Sequence, residues 1–348
     1  MTTPVKIGIV GLNFGRWIIE DLLREENAQF FKIAAVCDFD ETKAKCYAER
    51  LGVKAYTSVD QLLADRDITV VGLYTGPVKR SELLRTIIRA GKDVMTTKPF
   101  ELDPIDAQAV LEEAKVLGRT IHLNSPSPAP PNWIQQIQTW QREYDLGRPI
   151  GAHADVVVSY REQADGTWYD NPKLCPAAPA FRLGIYLIND LVRLFGAVEQ
   201  VQVFSSRIFT GRPTADNAQL SLVFKNKALA SIFASFCVDD GQAYADAFWM
   251  HFERGTVYRN TQPVAYAQAN VGSRLKLVAK TGEKEVTIQE RKLPDEGMGY
   301  QWNVLHAAVT GQPTFPMPID DILQGVKIVE AMTRAQESGK PEYVMRTE

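Results

Sequence analysis

The sequence predicts an α/β fold with a doubly wound parallel sheet, followed by a C-terminal α+β domain with a largely antiparallel open sheet. Over the first 125 residues, short apolar runs alternate with helical patterns. The later half instead contains consecutive strand patterns joined by short turns. Four prolines interrupt the alternation within the segment 125–133, so we predict two domains, over 1–125 and 126–348.

Five runs in the first domain fit strands that are buried on both faces, at 5–10, 32–38, 68–75, 93–98 and 119–124. The first helical pattern between them has its apolar face at Trp17, Ile18, Leu22 and Leu23. The second has its apolar face at Leu83, Leu84, Ile87 and Ile88, and it ends at Gly91. Parallel strands need right-handed crossovers, which place helices on both faces of the sheet.

The second domain begins with a helix at about 132–146 and a strand within LGRPIGAHADVVVSY. An irregular stretch at 162–180 precedes a helix over 181–195. Strand patterns follow near 198–208, 218–225, 228–238, 247–259, 274–280 and 285–290. Two helices, at about 300–310 and 319–338, end the domain.

Composition excludes several classes of protein. The 348 residues are 45% apolar and 23% charged with a net charge of −3, so a basic nucleic-acid surface is not expected. No apolar run approaches the roughly 20 residues that span a bilayer, and MTTPVKIGIVGL has no signal-peptide pattern, so we expect a cytoplasmic protein. The four cysteines are scattered and the four histidines lack ligand spacing, which predicts reduced thiols and no metal.

Glycines follow the first predicted strand in GIVGLNFGR, where a helix N-terminus in a Rossmann fold receives the pyrophosphate of a dinucleotide. The usual G-x-G-x-x-G spacing is broken, because Asn13 and Arg16 occupy the second and third glycine positions counted from Gly11. Asn tolerates a left-handed backbone, so the turn can survive. A tight turn without a ligand is the alternative. The predicted cofactor contacts here are Gly11, Asn13, Phe14, Gly15 and Arg16.

Three further residues end predicted strands of the first domain. Asp38 lies where an acidic residue accepts hydrogen bonds from the adenosine ribose and repels a 2′-phosphate, which favours NAD over NADP; Asp40 competes for this role. Thr75 is a further predicted cofactor contact. Lys98 precedes a proline at the carboxyl edge of the fourth run, where ligands bind to parallel sheets, so we expect it to contact cofactor and substrate.

Several segments resemble, in order, the glucose–fructose oxidoreductase, inositol dehydrogenase and rhizopine catabolism (Gfo/Idh/MocA) family of NAD(P)-dependent sugar dehydrogenases. AGKDVMTTKPF resembles the family pattern A-G-K-H-V-x-x-E-K-P, with Thr97 in place of Glu. FRLGIYLINDLVRLFG is similar to the helix written D-x-G-x-H-x-x-D-x-x-x-x-L-x-G. LGRPIGAHADVV and the closing helices are similar to the family's corresponding segments.

The resemblance implies that a lysine, an acid and a histidine surround the carbon that exchanges hydride with the nicotinamide. By position these are Lys98, Arg182 and Tyr186, and the later acidic position is Asn189, so the lysine alone is retained. Arg182 and Tyr186 are four residues apart and are expected on one helix face. A phenol can transfer the proton at the substrate oxygen, whereas a guanidinium stays protonated. A buried core position for Tyr186 is the alternative.

Arg182 leaves two interpretations open: it binds an anionic substrate, or the pocket has lost its chemistry. Trp168 and Tyr169 suit stacking on a sugar, although they can equally anchor their loop in the core. The predicted substrate-binding residues are Lys98, Trp168, Tyr169, Arg182, Tyr186 and Asn189. Asn124 is a weaker candidate, because the arginine that accompanies this position in relatives is absent.

The sequence therefore predicts an NAD-dependent oxidoreductase that acts on a hydroxyl-bearing carbon of a sugar or sugar-derived substrate, and it leaves open whether that substrate is neutral or anionic. Lys98, Tyr186 and Arg182 are the predicted catalytic residues. The alternatives are a dinucleotide-sensing protein without turnover and an NAD-dependent glycosidase. The resemblance also implies a homodimer or homotetramer formed by the second domain, because a sheet covered on one side leaves an apolar face.

Overall fold

The computed structural model describes residues 3–241, 244–262 and 272–345 and shows two compact units. The first comprises the chain up to Ala129 together with Gly299–Ile319, and the second comprises Pro130–Met298 and the chain from Asp320 onward. The division differs from the predicted 1–125 and 126–348 chiefly in the return of residues 299–319 to the first unit.

The first unit contains a six-stranded parallel sheet of order β3-β2-β1-β4-β5-β6. Its strands are β1 (Val5–Val10), β2 (Phe31–Cys37), β3 (Lys54–Tyr56), β4 (Val70–Leu73), β5 (Asp93–Thr96) and β6 (Ile121–Leu123). Its helices up to Ala129 are α1 (Leu12–Leu22), α2 (Glu25–Ala28), α3 (Glu41–Leu51), α4 (Val59–Ala64), α5 (Arg80–Arg89) and α6 (Pro104–Val116). This sheet confirms the predicted doubly wound fold, and β3 is an additional edge strand.

The apolar composition of the central strands explains their place in the sheet: every residue of β4 and β5 is buried. The apolar face of α1 differs from the prediction. Ile18, Ile19 and Leu22 are buried, whereas Trp17 and Leu23 are more than half exposed. Residues three or four positions apart share a helix face. Leu12, Ile18 and Leu22 therefore face the core, whereas Trp17 faces solvent.

The second unit contains a nine-stranded sheet of order β14-β13-β12-β11-β7-β10-β9-β8-β15. Its strands are β7 (Pro149–Val157), β8 (Val198–Ser206), β9 (Asn217–Phe224), β10 (Leu229–Ser235), β11 (Ala245–Phe252), β12 (Gly255–Arg259), β13 (Ser273–Lys280), β14 (Val286–Leu293) and β15 (Glu342–Tyr343). Neighbouring strands are antiparallel except β7 and β10, which confirms the largely antiparallel prediction. The predicted strand at 247–259 is a hairpin of β11 and β12.

Three helices of the second unit follow the predicted positions closely: α7 (Asn132–Glu143), α8 (Ile185–Phe195) and α10 (Ile319–Ser338). A π-helical turn, Ala180–Gly184, leads directly into α8. The buried residues of α8 and of the sheet, including Ile188, Leu220 and Ile232, form the core of this unit. Within the described ranges, no helix is both long enough and apolar enough to cross a membrane.

The helix α9 (Trp302–Val309) belongs to the first unit, although the sequence prediction placed it in the second. Trp302 and Tyr300 are buried in a cluster that includes Phe31, and the Trp302 ring lies edge-on to Phe31 with centroids 5.6 Å apart. Trp302 Nε1 donates a 2.8 Å hydrogen bond to the buried Asp21 carboxylate. These contacts explain the assignment, because an apolar helical pattern does not indicate which core it joins.

Candidate active site

The glycine turn after β1 is built by two glycines with different tasks. Gly11 has φ 87°, and a Cβ there would lie 2.9 Å from the backbone carbonyl of Tyr74, so both its conformation and its close approach require glycine. A Cβ at Gly15 would lie 3.0 Å from the Ile9 side chain, so this glycine permits close packing of α1 on β1. The helix-packing glycine is therefore Gly15, and the apparent substitution by Arg16 does not disturb the turn.

The other three residues of this turn lie within α1. Gly11 has the left-handed backbone conformation, and Asn13 is helical. The turn therefore does not depend on the ability of Asn to adopt a left-handed conformation. Lys43 Nζ donates a 2.8 Å hydrogen bond to Asn13 Oδ1. The Phe14 ring lies 6.2 Å from the Tyr74 ring, and the exposed Arg16 guanidinium lies 5.0 Å from the ring centroid of Trp17.

The two acidic candidates after β2 both accept backbone hydrogen bonds. The buried Asp38 carboxylate accepts from the N–H of Leu12 at 2.8 Å and from the N–H of Asp40 at 3.1 Å. Asp40 begins α3 by accepting from the N–H of Lys43 at 3.1 Å. Asp38 thus joins the end of β2 to the first turn of α1, and a contact to ribose stays a prediction.

Thr75, two residues beyond β4, carries a hydroxyl that suits a ligand. Its Oγ1 is buried and has no hydrogen-bond partner within the residues that the structure describes. Leaving such a group unpaired costs about 1–3 kcal/mol. The Thr75 backbone N lies 3.2 Å from where a Cβ on Gly11 would stand, so this hydroxyl belongs to the residue beside the glycine turn.

Lys98 lies in a segment whose backbone is fixed by neighbouring groups. Asn124 Oδ1 accepts from the Lys98 N–H at 3.3 Å and from the Thr97 hydroxyl at 3.2 Å. The buried Arg80 guanidinium donates to the carbonyl of Thr97 at 2.5 Å and also to the carbonyls of Pro99 and Thr75. Arg80 thereby ties the ends of β4 and β5 together. Sequence reasoning missed it, because an arginine that begins a helix gives no sign of its carbonyl partners.

In the second unit, Arg182 is held by an acid. Its Nη1 and Nη2 lie 2.6 and 2.9 Å from the two carboxylate oxygens of Glu162. The guanidinium carbon lies 4.2 Å from the ring centroid of Tyr169 and 4.7 Å from that of Phe236. Burial alone would raise the pKa of the Glu162 carboxyl, but hydrogen bonds from Arg182 and Arg212 outweigh it and lower the pKa. The charge of Arg182 is therefore already neutralised, which argues against a role in binding an anion.

Arg212 connects the loop that carries the candidate stacking residues. Its guanidinium lies 2.8 Å from Glu162, 2.8 Å from Asp165 and 2.6 Å from Asp170. Trp168 lies between these last two acids, and its ring is 4.1 Å from that of Tyr169. The structure thus brings Trp168, Tyr169 and Arg182 together on one partly exposed ion-pair network, in which Arg212 is buried and Asp165 is 47% exposed. Its acids and Arg212 were not predicted, because the charges are about 50 positions apart in the chain.

Tyr186 and Asn189 occupy different environments on α8. Tyr186 is half-buried and lies within electrostatic range of Tyr244. Asn189 is buried, and its Oδ1 is 2.6 Å from where a Cβ on Gly325 of α10 would stand. Asn189 therefore packs against α10, and this close helix contact offers a structural reason for the residue. Arg182 lies in the π-helical turn rather than in α8. Its four-residue spacing to Tyr186 therefore does not place the two side chains on one face of an α-helix, as the sequence predicted.

Two family models match most of the chain. Residues 5–125 match an oxidoreductase family with an NAD-binding Rossmann fold, and residues 134–258 match the GFO/IDH/MocA C-terminal domain. The chain belongs to the GFO/IDH/MocA oxidoreductase family. This confirms the resemblance seen in the sequence motifs, and the two matched segments contain Lys98, Arg182 and Tyr186.

Relatives of this GFO/IDH/MocA protein include oxidoreductases and a myo-inositol 2-dehydrogenase, each matched over part of the chain. An uncharacterized oxidoreductase of Schizosaccharomyces pombe is 27% identical over 203 residues, which are 56% of this chain and 52% of that protein. The chain spans about half the length of the first curated relatives that it matches. The myo-inositol 2-dehydrogenase of Thermotoga maritima is 30% identical over 113 residues, 32% of this chain and 33% of that enzyme. The structure of an oxidoreductase from Desulfitobacterium hafniense matches 99% of both chains with a TM-score of 0.81 at 16% identity, which shows the fold.

Proposed function

We propose that this protein is an NAD-dependent oxidoreductase that transfers a hydride between the nicotinamide and a hydroxyl-bearing carbon of a sugar or sugar-derived substrate. The observation that carries the proposal is the Thr75 hydroxyl beside the glycine turn, in a unit that matches an NAD-binding family: it is buried and has no partner among the residues that the structure describes. NAD, when bound, supplies the hydride acceptor or donor. The name of the Thermotoga maritima relative supports a polyol as the substrate class.

The chain's own residues divide the remaining tasks. In the first unit, Gly11 turns the chain into α1 and Gly15 lets α1 pack on β1, and the N–H groups at the start of α1 would bind a phosphate. Lys98 would polarise the substrate oxygen, and Tyr186 would give or take its proton. Lys98 is oriented through its backbone by Asn124. Trp168 and Tyr169, braced by Arg212, would supply aromatic faces for the substrate.

A Thr75→Val substitution tests the cofactor assignment. Removing an unpaired buried hydroxyl is expected to raise the free energy of unfolding by about 1 kcal/mol. If Thr75 donates to the nucleotide, NADH affinity should fall about 3–10-fold at the same time. Fluorescence titration with NADH and urea unfolding measure the two effects, and NADPH, titrated in parallel, is expected to bind more weakly than NADH.

Thr96→Val is the matched control, because the Thr96 hydroxyl donates a 2.8 Å hydrogen bond to the carbonyl of Leu73. We expect this variant to lose stability and keep its NADH affinity. Equal affinity of wild type and Thr75→Val would remove Thr75 from the cofactor site. Absence of NADH and NADPH binding by the wild type would contradict the proposed function itself.

The ion pair of Arg182 with Glu162 favours a neutral substrate over the anionic one that the sequence left open. In a Glu162→Gln variant, Arg182 is expected to become available to an anionic ligand, because a neutral amide cannot neutralise the charge of a guanidinium. The affinity for D-glucuronate relative to D-glucose should then rise about tenfold. Asp165→Asn removes an equal charge from the network but leaves the Arg182 pair intact, and it should not change this ratio. If the ratio of the two affinities is unchanged in Glu162→Gln, Arg182 has only a structural role.

We further propose that the protein forms a homodimer or homotetramer in the cytoplasm. Exposed apolar side chains on three strands of the nine-stranded sheet support the association, namely Phe204, Leu229 and Ile288. Each is more than half exposed, and burying such side chains against a second copy would remove them from water. The cytoplasmic location rests on the sequence alone.

A further inference from the structure

The segment that begins at Gly299 brings a buried phenol to the part of the first unit that carries Lys98. Gly299 has φ 75°, and a Cβ there would lie 3.1 Å from the carbonyl oxygen of Asn124, so the chain passes close to the end of β6. Tyr300 follows, and its ring is stacked on that of Trp302 with centroids 5.7 Å apart. The ring is therefore held by the core, which fixes the position of its hydroxyl oxygen.

This phenol belongs to a continuous chain of hydrogen bonds that ends at the Lys98 backbone. The Tyr300 hydroxyl donates to Thr97 Oγ1 at 3.2 Å, and the Thr97 hydroxyl donates to Asn124 Oδ1 at 3.2 Å. The same Asn124 oxygen accepts the Lys98 N–H at 3.3 Å. Because a backbone N–H can only donate, the Asn124 atom that receives it must be the amide oxygen. The Thr97 proton then points to this oxygen, which leaves Thr97 Oγ1 as the acceptor for Tyr300.

The three side chains of this chain are shielded from water. Thr97, Asn124 and Tyr300 are all buried. Water does not reach these groups to replace a hydrogen bond that is lost, and hydrogen bonds in such surroundings strengthen one another. We therefore expect the loss of one link to loosen the next, so that removing the phenol weakens the bond at the Lys98 N–H.

Thr97 also stands where the family pattern has Glu. An ionised carboxylate only accepts hydrogen bonds, so it could accept from Tyr300 but could not donate to Asn124 Oδ1. A hydroxyl does both. The residue at which this sequence departs from the pattern is therefore the one that links the phenol to the amide that holds Lys98.

We propose that Tyr300 is a positioning residue for Lys98, which it reaches through the Thr97 hydroxyl and the Asn124 amide. The inference rests on the proposed oxidoreductase function, in which Lys98 polarises the substrate oxygen. Tyr300 acts through the backbone of Lys98 and is not itself a group that reacts. Since a misplacement of about 1 Å can cost about 100-fold in rate, a small shift of Lys98 is expected to lower kcat more than it lowers the affinity for NADH.

Hydrogen exchange of the Lys98 amide, followed by NMR in protein made with isotope-labelled lysine, tests the chain without any turnover. Relative to the Lys6 amide of β1, the Lys98 N–H of Tyr300→Phe should exchange about tenfold faster than in the wild type, because its acceptor on Asn124 is less firmly held. Tyr74→Phe is the matched control. The Tyr74 ring lies edge-on to that of Tyr300 with centroids 6.0 Å apart, and its buried hydroxyl has no hydrogen-bond partner within the described part of the chain. This variant should keep the wild-type exchange rate, and equal rates in all three proteins would overturn the proposal.

Steady-state oxidation tests the positioning role, with NAD⁺ and, as probes, myo-inositol, D-glucose and D-xylose. Tyr300→Phe and Thr97→Val should each lower kcat about tenfold and change the NADH affinity less than about twofold. Because both substitutions break the same chain, the double variant should be no slower than either single one, whereas independent effects would multiply to about 100-fold. Thr97→Ser keeps the hydroxyl and should keep most of the wild-type kcat, and Tyr74→Phe should keep all of it.

The outcomes separate this inference from the proposed function. Losses that multiply in the double variant, or a wild-type kcat in Tyr300→Phe, overturn the positioning role and leave the oxidoreductase standing. A wild type that binds NADH but oxidises none of the probes also overturns the positioning role. A wild type that binds no nucleotide contradicts the proposed function, and the positioning role falls with it.

Discussion

Replacing Lys98 with methionine is expected to lower kcat/KM for polyol oxidation by about 10²–10⁴-fold, the range in which a positioned acid–base group contributes to a rate. Lys98 follows β5, and Asn124 holds its backbone N–H, so the side chain starts from a fixed point. Methionine keeps much of the length and removes the charge. Steady-state kinetics on whichever probe the wild type oxidises best gives the rate, and NADH titration gives the affinity, which should change by less than tenfold.

The matched control for this prediction is Lys115→Met, because Lys115 is exposed on α6 and undergoes the same chemical change. It should retain wild-type kinetics. If Lys98→Met kept its kcat, the lysine would have no part in the reaction. If both kcat and NADH affinity collapsed, the loss would instead reflect damage to the cofactor site.

Local pattern was sufficient to predict most strands and the long helices of the second unit, but the roles of individual residues depended on distant partners. The apolar runs of β1, β4 and β5 predicted the parallel sheet, and consecutive strand patterns joined by short turns predicted the antiparallel one. Helical periodicity predicted α8 and α10. Glycine at position 11 was also predictable. The helix-packing task of Gly15 was not, since it depends on the distance to Ile9 and not on spacing alone.

The candidate site shows the same division. Arg182 stands out in the sequence because it replaces an acid of the family motif, yet its partner Glu162 lies 20 residues away in an irregular loop. Asp38 was assigned to ribose from its place after β2, and that contact stays a prediction, but the hydrogen bond that its carboxylate accepts from the N–H of Leu12 was not predicted. A single sequence does not show which side chains from distant segments pair with each other, so these contacts could not be predicted.

Replacing Arg80 with methionine is expected to lower the free energy of unfolding by about 3–5 kcal/mol. Arg80 is 1% exposed, and its guanidinium donates to the carbonyls of Thr75, Thr97 and Pro99. Its removal leaves several buried acceptors without a donor, and each unpaired group costs about 1–3 kcal/mol. Urea unfolding measures the loss. NADH affinity should also fall, because Arg80 fixes the backbone of both Thr75 and the segment that precedes Lys98.

Arg89→Met on the same helix separates this effect from the loss of an arginine as such. Arg89 pairs with Glu113 at 2.5 Å, but its side chain is 64% exposed, so solvent screens the pair and its loss should cost less than about 1 kcal/mol. Similar unfolding free energies for the two variants would contradict the role assigned to Arg80. A large difference, with the NADH affinity of Arg89→Met unchanged, would show that the ends of β4 and β5 owe their geometry to one buried guanidinium. That dependence would also explain the arginine at the start of α5, for which the sequence alone gives no reason.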